Sequence, residues 1–418
     1  MARTHLNDPP RRVLLAADHR YASLGAVRAL RDGGYMPWVA AAERGSYAAR
    51  SRAAAGVVSV PEARGDPDRF VAALAEVASS LEVDAVLPAS EPALLALAGR
   101  EHEFPSGTAV GVCAPAIVER ATDKLALVEL AAEAGLPQPW SVVLTRSEID
   151  SRGRNLPYPA IVKPARSEML GGDGSLRWDT VRRVGSFEEL RGAVEALPGR
   201  TWLVQEYVPG RLGAISGVAW QGKLVCAAHQ IAHRTFPRDG PSAYAQTTAR
   251  DPDLEEGVAR LLALFAWSGI FQAQFIELDD RRYLIDFNPR LYGSVSLAHA
   301  AGLNLPVIWT NLLVGDRQEV GSYRIGVRYR CEERDARALL AALAGRKALA
   351  ALRGLVPRRR TVHAVFSLRD PLPAMTTIAK LRQRATLSVQ RAEPTSPRSL
   401  PPDSLRGEQH RTGSTQLK

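Results

Sequence analysis

Short apolar runs alternate with helical patterns over the first 110 residues, and this alternation limits the fold more than any other feature. VLLAA, PWVAA, VVSV, VDAVLPAS and AVGVC have the length and composition of buried strands. Helices are predicted to begin near Ser23 and Asp66, and Gly33-Gly34 suits the end of the first. Strands that alternate with helices form a parallel sheet covered on both faces. DHRYASLGA follows the first strand where a dinucleotide site would have GxGxxG, so NAD or FAD binding is not expected.

Length and composition indicate a soluble protein of several domains. A chain of 418 residues exceeds a single ordinary core, and 46% hydrophobic with 23% charged residues is typical of globular proteins. There is no apolar run of about 18 residues and no signal peptide at the polar start. Cys113, Cys226 and Cys331 lie far apart, without the CxxC spacing of a zinc site, which favours free thiols in a reducing compartment. We therefore predict a cytoplasmic protein.

The positive charge is concentrated at the end of the chain. Residues 346–418 hold 15 Lys and Arg against 4 Asp and Glu, whereas the other 345 residues hold 39 against 40. Basic, low-complexity ends are usually solvated, so nucleic-acid or anionic-membrane binding by this tail is not expected. The composition beyond about residue 393 is typical of disorder.

The predicted fold class is α/β and α+β. The sequence divides into a parallel α/β domain (1–114), a two-lobed domain (115–314, with lobes at about 115–198 and 200–314), a strand and helical extension (315–372) and a basic, largely disordered tail (373–418).

Two lysines stand where an anion is a natural partner. Lys124 falls in the first turn of a helix that Thr122 or Asp123 can cap, where a positive side chain opposes the helix dipole. Lys163 follows the short apolar strand AIV and precedes the loop that contains Gly171, Gly172, Gly174 and Ser175. Glycines let backbone N–H groups approach an anion closely, so the lysines and this loop together suggest a phosphate site.

Two further motifs lie at strand ends. In WLVQEYVPG the strand runs into Gln205, Glu206, Tyr207 and Val208 and stops at a Pro-Gly pair, where backbone groups can meet a base. In IFQAQFIELDDRRYLIDFNPR a hairpin is predicted with Asp279-Asp280 in its turn.

The hairpin gathers oxygen ligands. Gln274 precedes Asp286 by 12 residues, so pairing across the turn brings the two together, and Asn288 projects from the same face as Asp286. Carboxylate and amide oxygens are ligands that Mg²⁺ prefers, and the adjacent Arg290 can clamp a phosphoryl group. The hairpin thus predicts a metal and phosphate site.

These four motifs, in this order, resemble the ATP-grasp superfamily over about residues 115–310. The layout is similar to biotin carboxylase and to the large subunit of carbamoyl-phosphate synthetase. NPRLYGSVSLAHAAGLNLP is closer still to carboxylate–amine ligase-like members. The segment before the motifs resembles the domain that usually precedes an ATP-grasp fold.

The resemblance implies ATP and Mg²⁺ as cofactors, with Mn²⁺ as an alternative metal. It implies that Lys124 and Lys163 hold the phosphates, that Gly171 to Ser175 cover them, and that Gln205 to Val208 surround the adenine. It further implies Gln274, Asp286 and Asn288 as metal ligands, and Arg290 and Lys163 as the residues that carry catalysis. The family usually has Glu at the position of Asp286 and often Glu at that of Gln274, which leaves open whether one or two Mg²⁺ ions bind.

The implied activity is an ATP-dependent ligase that converts a carboxylate into an acyl-phosphate for attack by an amine. Its partners would be small molecules, with amino acids or peptides among the candidates, and the chain has no Met-Lys-Met motif of a biotin carrier. The alternative is a nucleotide-binding regulatory or scaffold protein without ligase activity.

Two other groups of basic residues were candidates for anion binding. One comprises His229, His233, Arg234 and Arg238, and the other Arg324, Arg328 and Arg330, which alternate along one predicted strand.

Overall fold

The computed structural model describes residues 10–16, 20–42, 45–164, 181–196, 201–316, 319–344 and 360–376. Nearly all of the tail predicted to be disordered lies outside these residues. No helix in the described part of the chain is both long enough and apolar enough to cross a membrane.

The N-terminal part forms the predicted parallel sheet. Its strand order is β3-β2-β1-β4-β5, and all of its strand pairs are parallel. Its elements are β1 (Arg12–Ala16), α1 (Arg20–Asp32), β2 (Met36–Ala41), β3 (Gly56–Ser59), α2 (Pro67–Ser80), β4 (Ala85–Pro88), α3 (Glu91–Leu97) and β5 (Ala109–Val110). Asp66 caps α2 by accepting a hydrogen bond from the Arg69 N–H, and Gly34 takes φ +85° beyond α1, as expected of a helix stop.

A small antiparallel sheet follows, in the order β6-β9-β7-β8. The elements are α4 (Pro115–Thr122), α5 (Lys124–Glu133), β6 (Ser141–Thr145), α6 (Arg146–Arg152), β7 (Ala160–Pro164), β8 (Arg182–Val184), α7 (Phe187–Ala196) and β9 (Thr201–Glu206). The Trp202 side chain is fully buried in the core between this sheet and its helices. Because β9 pairs with both β6 and β7, the proposed junction between the two lobes moves from about 199 to after Glu206.

The large sheet has seven strands in the order β14-β13-β10-β11-β12-β15-β16. Its elements, with the intervening helices, are β10 (Arg211–Trp220), β11 (Lys223–Thr235), β12 (Ser242–Thr247), α8 (Pro252–Phe265), β13 (Gly269–Leu278), β14 (Arg281–Asn288), α9 (Val295–Ala301), α10 (Leu305–Leu313), β15 (Arg328–Arg330), α11 (Glu332–Ala344) and β16 (Thr361–His363). The predicted hairpin is β13 and β14, with Asp279 and Asp280 between them.

The extension predicted over 315–372 is built into this sheet. β15 pairs with β12, and β16 pairs with β15. Asp335 of α11 is 2% exposed and binds Arg234 of β11 at 2.6 Å and Arg330 of β15 at 3.0 Å. A buried acid between two arginines ties α11 to the sheet beneath it.

The parallel sheet shares a core with the segment that follows β14. Leu15 and Val27 from the N-terminal part pack in one apolar cluster with Leu291, Val295 and Trp309 from the segment after β14. Arg64 after β3 and Ser90 after β4 line the same cavity as Asn288 at the end of β14. Together with the small antiparallel sheet and the large sheet, which is antiparallel except for its β15–β16 pair, this arrangement confirms the predicted fold class.

Candidate functional site

One cavity of about 420 Å³ lies between the small sheet and the large sheet. Every predicted site residue that the structure describes lines it: Lys124, Lys163, Gln205, Glu206, Tyr207, Val208, Gln274, Asp286, Asn288 and Arg290. The predicted glycine loop, with Gly171, Gly172, Gly174 and Ser175, lies outside the described residues. A volume of this size suits a small organic ligand or a nucleotide.

Lys163 is placed at the floor of the cavity by the end of β7. It is 6% exposed, and its ammonium donates a 2.7 Å hydrogen bond to the carbonyl of Ile285. Burial lowers the pKa of Lys163 to about 8, an effect that Asp286 opposes and Lys124 reinforces. The two lysines and the acid thus share one electrostatic environment. Lys124 stands directly after Asp123, whose side chain caps α5 by accepting from the Leu125 N–H at 2.7 Å.

The β13–β14 register fixes the predicted metal ligands. Gln274 pairs with Asp286, and Gln272 pairs with Asn288. Asn288 Nδ2 donates to Asp286 Oδ2 at 3.1 Å, and Gln274 Nε2 faces Gln272 Oε1 at 3.4 Å. Within the described residues, Asp286 Oδ1 and Gln274 Oε1 make no hydrogen bond, so two oxygens from opposite strands remain open to the cavity.

Arg290 is held on three sides immediately after β14. Its Nη2 donates to Asn288 Oδ1 at 3.0 Å, its Nη1 donates to the Leu291 carbonyl at 3.0 Å, and its Nε lies 3.7 Å from Glu91 Oε2. Its side chain is 16% exposed, so the guanidinium is a fixed positive group at the wall of the cavity.

A buried polar network supports the hairpin from behind. Gln272 Nε2 lies 3.1 Å from Ser216 Oγ and 3.5 Å from Ser294 Oγ, and Ser294 donates to Gln230 Oε1 at 3.2 Å. These bonds link β10, β11 and the start of α9 to β13. Because buried polar groups with satisfied hydrogen bonds have little freedom, the network restricts the strand that carries Gln274.

The hinge segment after β9 provides a narrow, partly apolar end of the cavity. The Tyr207 N–H donates to the Pro159 carbonyl at 3.2 Å, and the Val208 carbonyl accepts from the Gly210 N–H at 2.9 Å. The Val208 N–H has no hydrogen-bond partner among the described residues. Apolar side chains line the space beside it from both sheets, namely Ile161, Val181, Leu212, Ile276 and Ile285.

Gly210 is required where the chain leaves the hinge. A Cβ atom at this position would lie 2.2 Å from the Glu277 carbonyl oxygen of β13, closer than any side chain can approach. Glycine at this position therefore lets the turn before β10 pack directly against β13. This close packing sets the distance between the hinge segment and the β13–β14 hairpin.

A loop from the large sheet covers the hinge. Asp239, between β11 and β12, accepts from the Tyr207 hydroxyl at 3.2 Å and pairs with Arg183 of β8 at 3.6 Å. The Arg183 guanidinium lies 3.9 Å from the centre of the Tyr207 ring. These contacts join the two sheets across the mouth of the cavity.

Most of the other basic candidates lie elsewhere. Arg238 lines the cavity. His229 is buried, lies 2.9 Å from Glu255, and has a pKa that burial lowers. Arg234 forms an ion pair with Asp335. Burial likewise lowers the pKa of His233, which contacts Tyr244.

The three arginines on the later strand do not form a pocket for a carboxylate substrate. Arg324 donates to the Ala300 carbonyl at 2.6 Å, and Arg330 binds Asp335. Arg328 is not among the residues that line the cavity. The predicted alternation is correct only for Arg328 and Arg330, because β15 spans Arg328–Arg330 and Arg324 lies before it. The bonds of Arg324 and Arg330 serve the packing of α9 and α11.

Arg64, Ser90 and Glu91 were not predicted, yet they line the cavity from the parallel sheet. Arg64 follows β3, and Ser90 and Glu91 follow β4. The segment VLPASEP could have predicted Ser90 and Glu91, because ligands of parallel sheets bind beyond the carboxyl ends of the strands.

Across the described residues, no group of three or more His, Cys, Asp or Glu could hold a metal ion. A metal here would therefore depend on amide oxygens as well as Asp286.

Comparisons with known proteins agree with this geometry. Residues 199–334 match a family model described as ATP-grasp in the biosynthetic pathway with Ter operon. The carbamoyl phosphate synthase large chain of Agathobacter rectalis is 24% identical over 220 residues, which are 50% of this chain and 20% of that protein. The match therefore spans about a fifth of the length of that relative.

Two solved structures are similar over most of the chain. An L-amino acid ligase from Bacillus licheniformis is 16% identical, with a TM-score of 0.59 over 77% of this chain and 79% of the other. The biotin carboxylase domain of a 2-oxoglutarate carboxylase from Hydrogenobacter thermophilus, solved with MgADP, is 15% identical, with a TM-score of 0.57 over 77% and 74%. The predicted ATP-grasp resemblance is confirmed: residues 199–334 match an ATP-grasp family model, and the chain shares its overall fold with these ligase and carboxylase structures.

Proposed function

We propose that the protein is an ATP-dependent ligase that activates a carboxylate as an acyl-phosphate for attack by an amine, releasing ADP and phosphate. One observation carries the proposal. A single cavity joins the two lysines, the hinge segment and the Gln274–Asp286–Asn288–Arg290 group, each of which suits a different part of ATP and its metal.

Lys163 and Lys124 would hold the phosphate chain. Lys163 is buried with a single described hydrogen bond, to the Ile285 carbonyl, and so retains two N–H donors for phosphate oxygens. A buried ammonium has lost its hydration, and phosphate oxygens would replace it. Gly171 to Ser175 remain the predicted cover for these phosphates.

The hinge would take the adenine. The Val208 N–H has no partner in the described part of the chain, and the apolar side chains from both sheets would contact the two faces of a flat ring. Glu206 and Gln205 stand beside it, with Gln205 Nε2 fixed to Ser141 Oγ at 3.0 Å. Tyr207 would contribute through its backbone and its bond to Asp239.

The residues present fit a magnesium ion. Asp286 Oδ1 and Gln274 Oε1 are open, whereas Asn288 Oδ1 already accepts from Arg290 and would serve after that bond shifts. Mg²⁺ commonly binds through one or two carboxylates with phosphate oxygens and water completing its shell. When bound, the ion neutralises phosphate charge. With a single carboxylate in the set, we propose one strongly held Mg²⁺, with Mn²⁺ as an alternative.

Arg290 and Lys163 would carry the chemistry by charge and position. An oxygen of the substrate carboxylate attacks the γ-phosphorus, and the bond to the β–γ bridging oxygen breaks, so that ADP leaves. The amine nitrogen then attacks the acyl carbon, the bond to phosphate breaks, and the amine proton passes to solvent. Arg290 faces the charge that develops on the transferred group, and no protein nucleophile is needed.

The alternative function is nucleotide binding without turnover, as in a regulatory or scaffold protein. The open metal oxygens and the fixed arginine favour the ligase. The absence of a biotin carrier, the small-molecule partners and the cytoplasmic location remain predictions.

Hydroxylamine provides the test, because it attacks acyl-phosphates and replaces the unknown amine. The protein is incubated with ATP, Mg²⁺, hydroxylamine and single carboxylic acids, and ADP and hydroxamate are both measured. The ligase predicts equal amounts of the two products with at least one acid. Tight ATP binding without either product across the acids would support the regulatory alternative.

A further inference from the structure

Glu91 brings a carboxylate into the cavity from the parallel sheet. It follows β4, and its side chain is 11% exposed. Among the described cations, Arg290 is the one within 4 Å, with Glu91 Oε2 lying 3.7 Å from Arg290 Nε. The two residues are 199 positions apart in sequence and face each other across the interface between the parallel sheet and the end of β14.

Among the described residues, none donates a hydrogen bond to the Glu91 carboxylate. At 3.7 Å the contact with Arg290 is an ion pair without a hydrogen bond, and the described residues contribute no other donor. Carboxylates this well shielded from water ordinarily accept several hydrogen bonds, because leaving them unmade is costly. Because Glu91 lines the cavity, a ligand there would supply the donors that the described residues do not.

Arg290 has donors left for an anion at the same place. A guanidinium carries five N–H groups. One from Nη1 and one from Nη2 bind Leu291 and Asn288, and Nε points to Glu91. Within the part of the chain that the structure describes, one N–H on each terminal nitrogen makes no hydrogen bond. Asn288 in turn binds Asp286, so an anion on Arg290 would lie next to the proposed metal and the transferred phosphoryl group.

An acceptor and a donor of opposite charge, less than 4 Å apart, match a ligand that carries both charges. We infer that Glu91 binds the ammonium group and Arg290 the carboxylate of an amino acid, which is the acid that becomes phosphorylated. This inference rests on the proposed ligase function and names its substrate class. Arg64 and Ser90 line the same end of the cavity and would border the amino-acid side chain.

The same contact also allows a simpler role, in which Glu91 only orients Arg290. The two roles make different predictions. A residue that binds the ammonium discriminates between an amino acid and the same acid without its amino group. A residue that only positions Arg290 affects both acids equally, because each presents the same carboxylate.

The experiment compares the twenty proteinogenic L-amino acids with their deamino acids in the hydroxylamine assay, for example L-alanine with propionate and L-phenylalanine with 3-phenylpropanoate. Wild-type kcat/KM should favour the amino acid of the best pair by about 100-fold, the scale expected when a buried charge loses its partner. Glu91→Gln should lower kcat/KM for that amino acid about 100-fold and change the deamino acid less than threefold. Glu91→Asp should restore part of the preference, and Glu76→Gln, on the exposed face of α2, should change neither value.

The outcomes separate the inference from the function on which it rests. Wild-type turnover of deamino acids as fast as amino acids would overturn the amino-acid inference and leave the ligase function standing. Equal losses for both acids in Glu91→Gln would also overturn it and assign Glu91 to positioning. ADP formation with neither set, while ATP still binds, would overturn the ligase function itself. The wild-type comparison decides the matter even where a variant fails to fold.

Discussion

Lys163 donates a 2.7 Å hydrogen bond to the carbonyl of Ile285, the residue immediately before Asp286. This bond joins the last part of β7 in the small sheet to β14 in the large sheet. It places the proposed phosphate ligand and the proposed metal ligand on the same side of the cavity. The position of either group therefore depends on the packing of the two sheets against each other.

Replacing Lys163 with alanine should weaken ATP binding while the protein remains folded. A lost charge-assisted bond to phosphate contributes roughly 1.5–3 kcal/mol, which corresponds to about 10- to 150-fold in Kd. Lys223→Ala removes an exposed lysine at the start of β11 and serves as the matched control. Calorimetric titration with ATP and thermal melts measure the two effects. An unchanged Kd for Lys163→Ala would remove this lysine from the phosphate site.

The lowered pKa of Lys163, about 8, predicts a pH-dependent affinity. Below that pH the free protein holds the ammonium that phosphate requires, and above it the amine is neutral. ATP affinity should therefore fall as pH rises through about 8, with proton uptake on binding at pH 8.5. Calorimetry in two buffers of different ionisation enthalpy measures this uptake. In Lys163→Arg the arginine stays charged at pH 8.5, so this variant should take up no proton when ATP binds. The same proton uptake in the variant and in wild type would assign the proton to another group.

The sequence predicted those parts of the site that depend on local patterns. Strand alternation and the position of the Asp279-Asp280 turn were sufficient to place Gln274 opposite Asp286, and that pairing is confirmed. The alternation of strand and helix segments also predicted the parallel sheet, because the spacing of apolar residues differs between a helix and a strand. Thr122 or Asp123 was expected to cap α5, and the structure shows that Asp123 does so.

The sequence pattern could not predict contacts between segments that lie far apart in the chain. Glu91 and Arg290 meet only because the parallel sheet packs against the segment after β14, and no local period encodes that packing. His229 was grouped with Arg238 by proximity in sequence, yet its side chain packs against α8 rather than into the cavity. β9 was assigned to the second lobe since nothing in its composition reveals which sheet it joins.

Replacing Gln274 with glutamate should strengthen metal binding. Gln274 Oε1 is open and its residue pairs with Asp286, so a second carboxylate would complete a two-acid set for Mg²⁺. We expect the Mg²⁺ concentration that gives half-maximal ADP formation to fall by about 10-fold, roughly 1.4 kcal/mol. Gln221→Glu, in the exposed turn after β10, adds the same charge away from the site. The same Mg²⁺ requirement in Gln274→Glu and wild type would exclude Gln274 from the metal shell.

Asp335 should contribute to the free energy of unfolding and not to ATP binding. Its carboxylate is 2% exposed and binds Arg234 and Arg330, so Asp335→Asn leaves two arginines without their acid. The expected loss in the free energy of unfolding is about 3–5 kcal/mol. Asp253→Asn, on the exposed side of α8, should lose less than 1 kcal/mol, as surface changes usually do. Urea denaturation measures both, and ATP affinity of the folded variant should be unchanged. A loss no larger than that of the control would show that α11 does not depend on this acid.

The most direct test of the ligase proposal is Mg²⁺-dependent ADP formation by wild type, Asp286→Ala, Asp286→Glu and Asp280→Ala, in the hydroxylamine assay with the best acid. Asp280 lies exposed in the turn of the same hairpin and is the matched control. The account predicts that Asp286→Ala falls to about 1% of the wild-type rate or less, in line with the loss of a transition-state contact of about 3 kcal/mol. Asp286→Glu should retain most of the rate because it restores a carboxylate, and Asp280→Ala should match wild type, with all four proteins folded. Wild-type rate and wild-type Mg²⁺ dependence in Asp286→Ala would contradict the account.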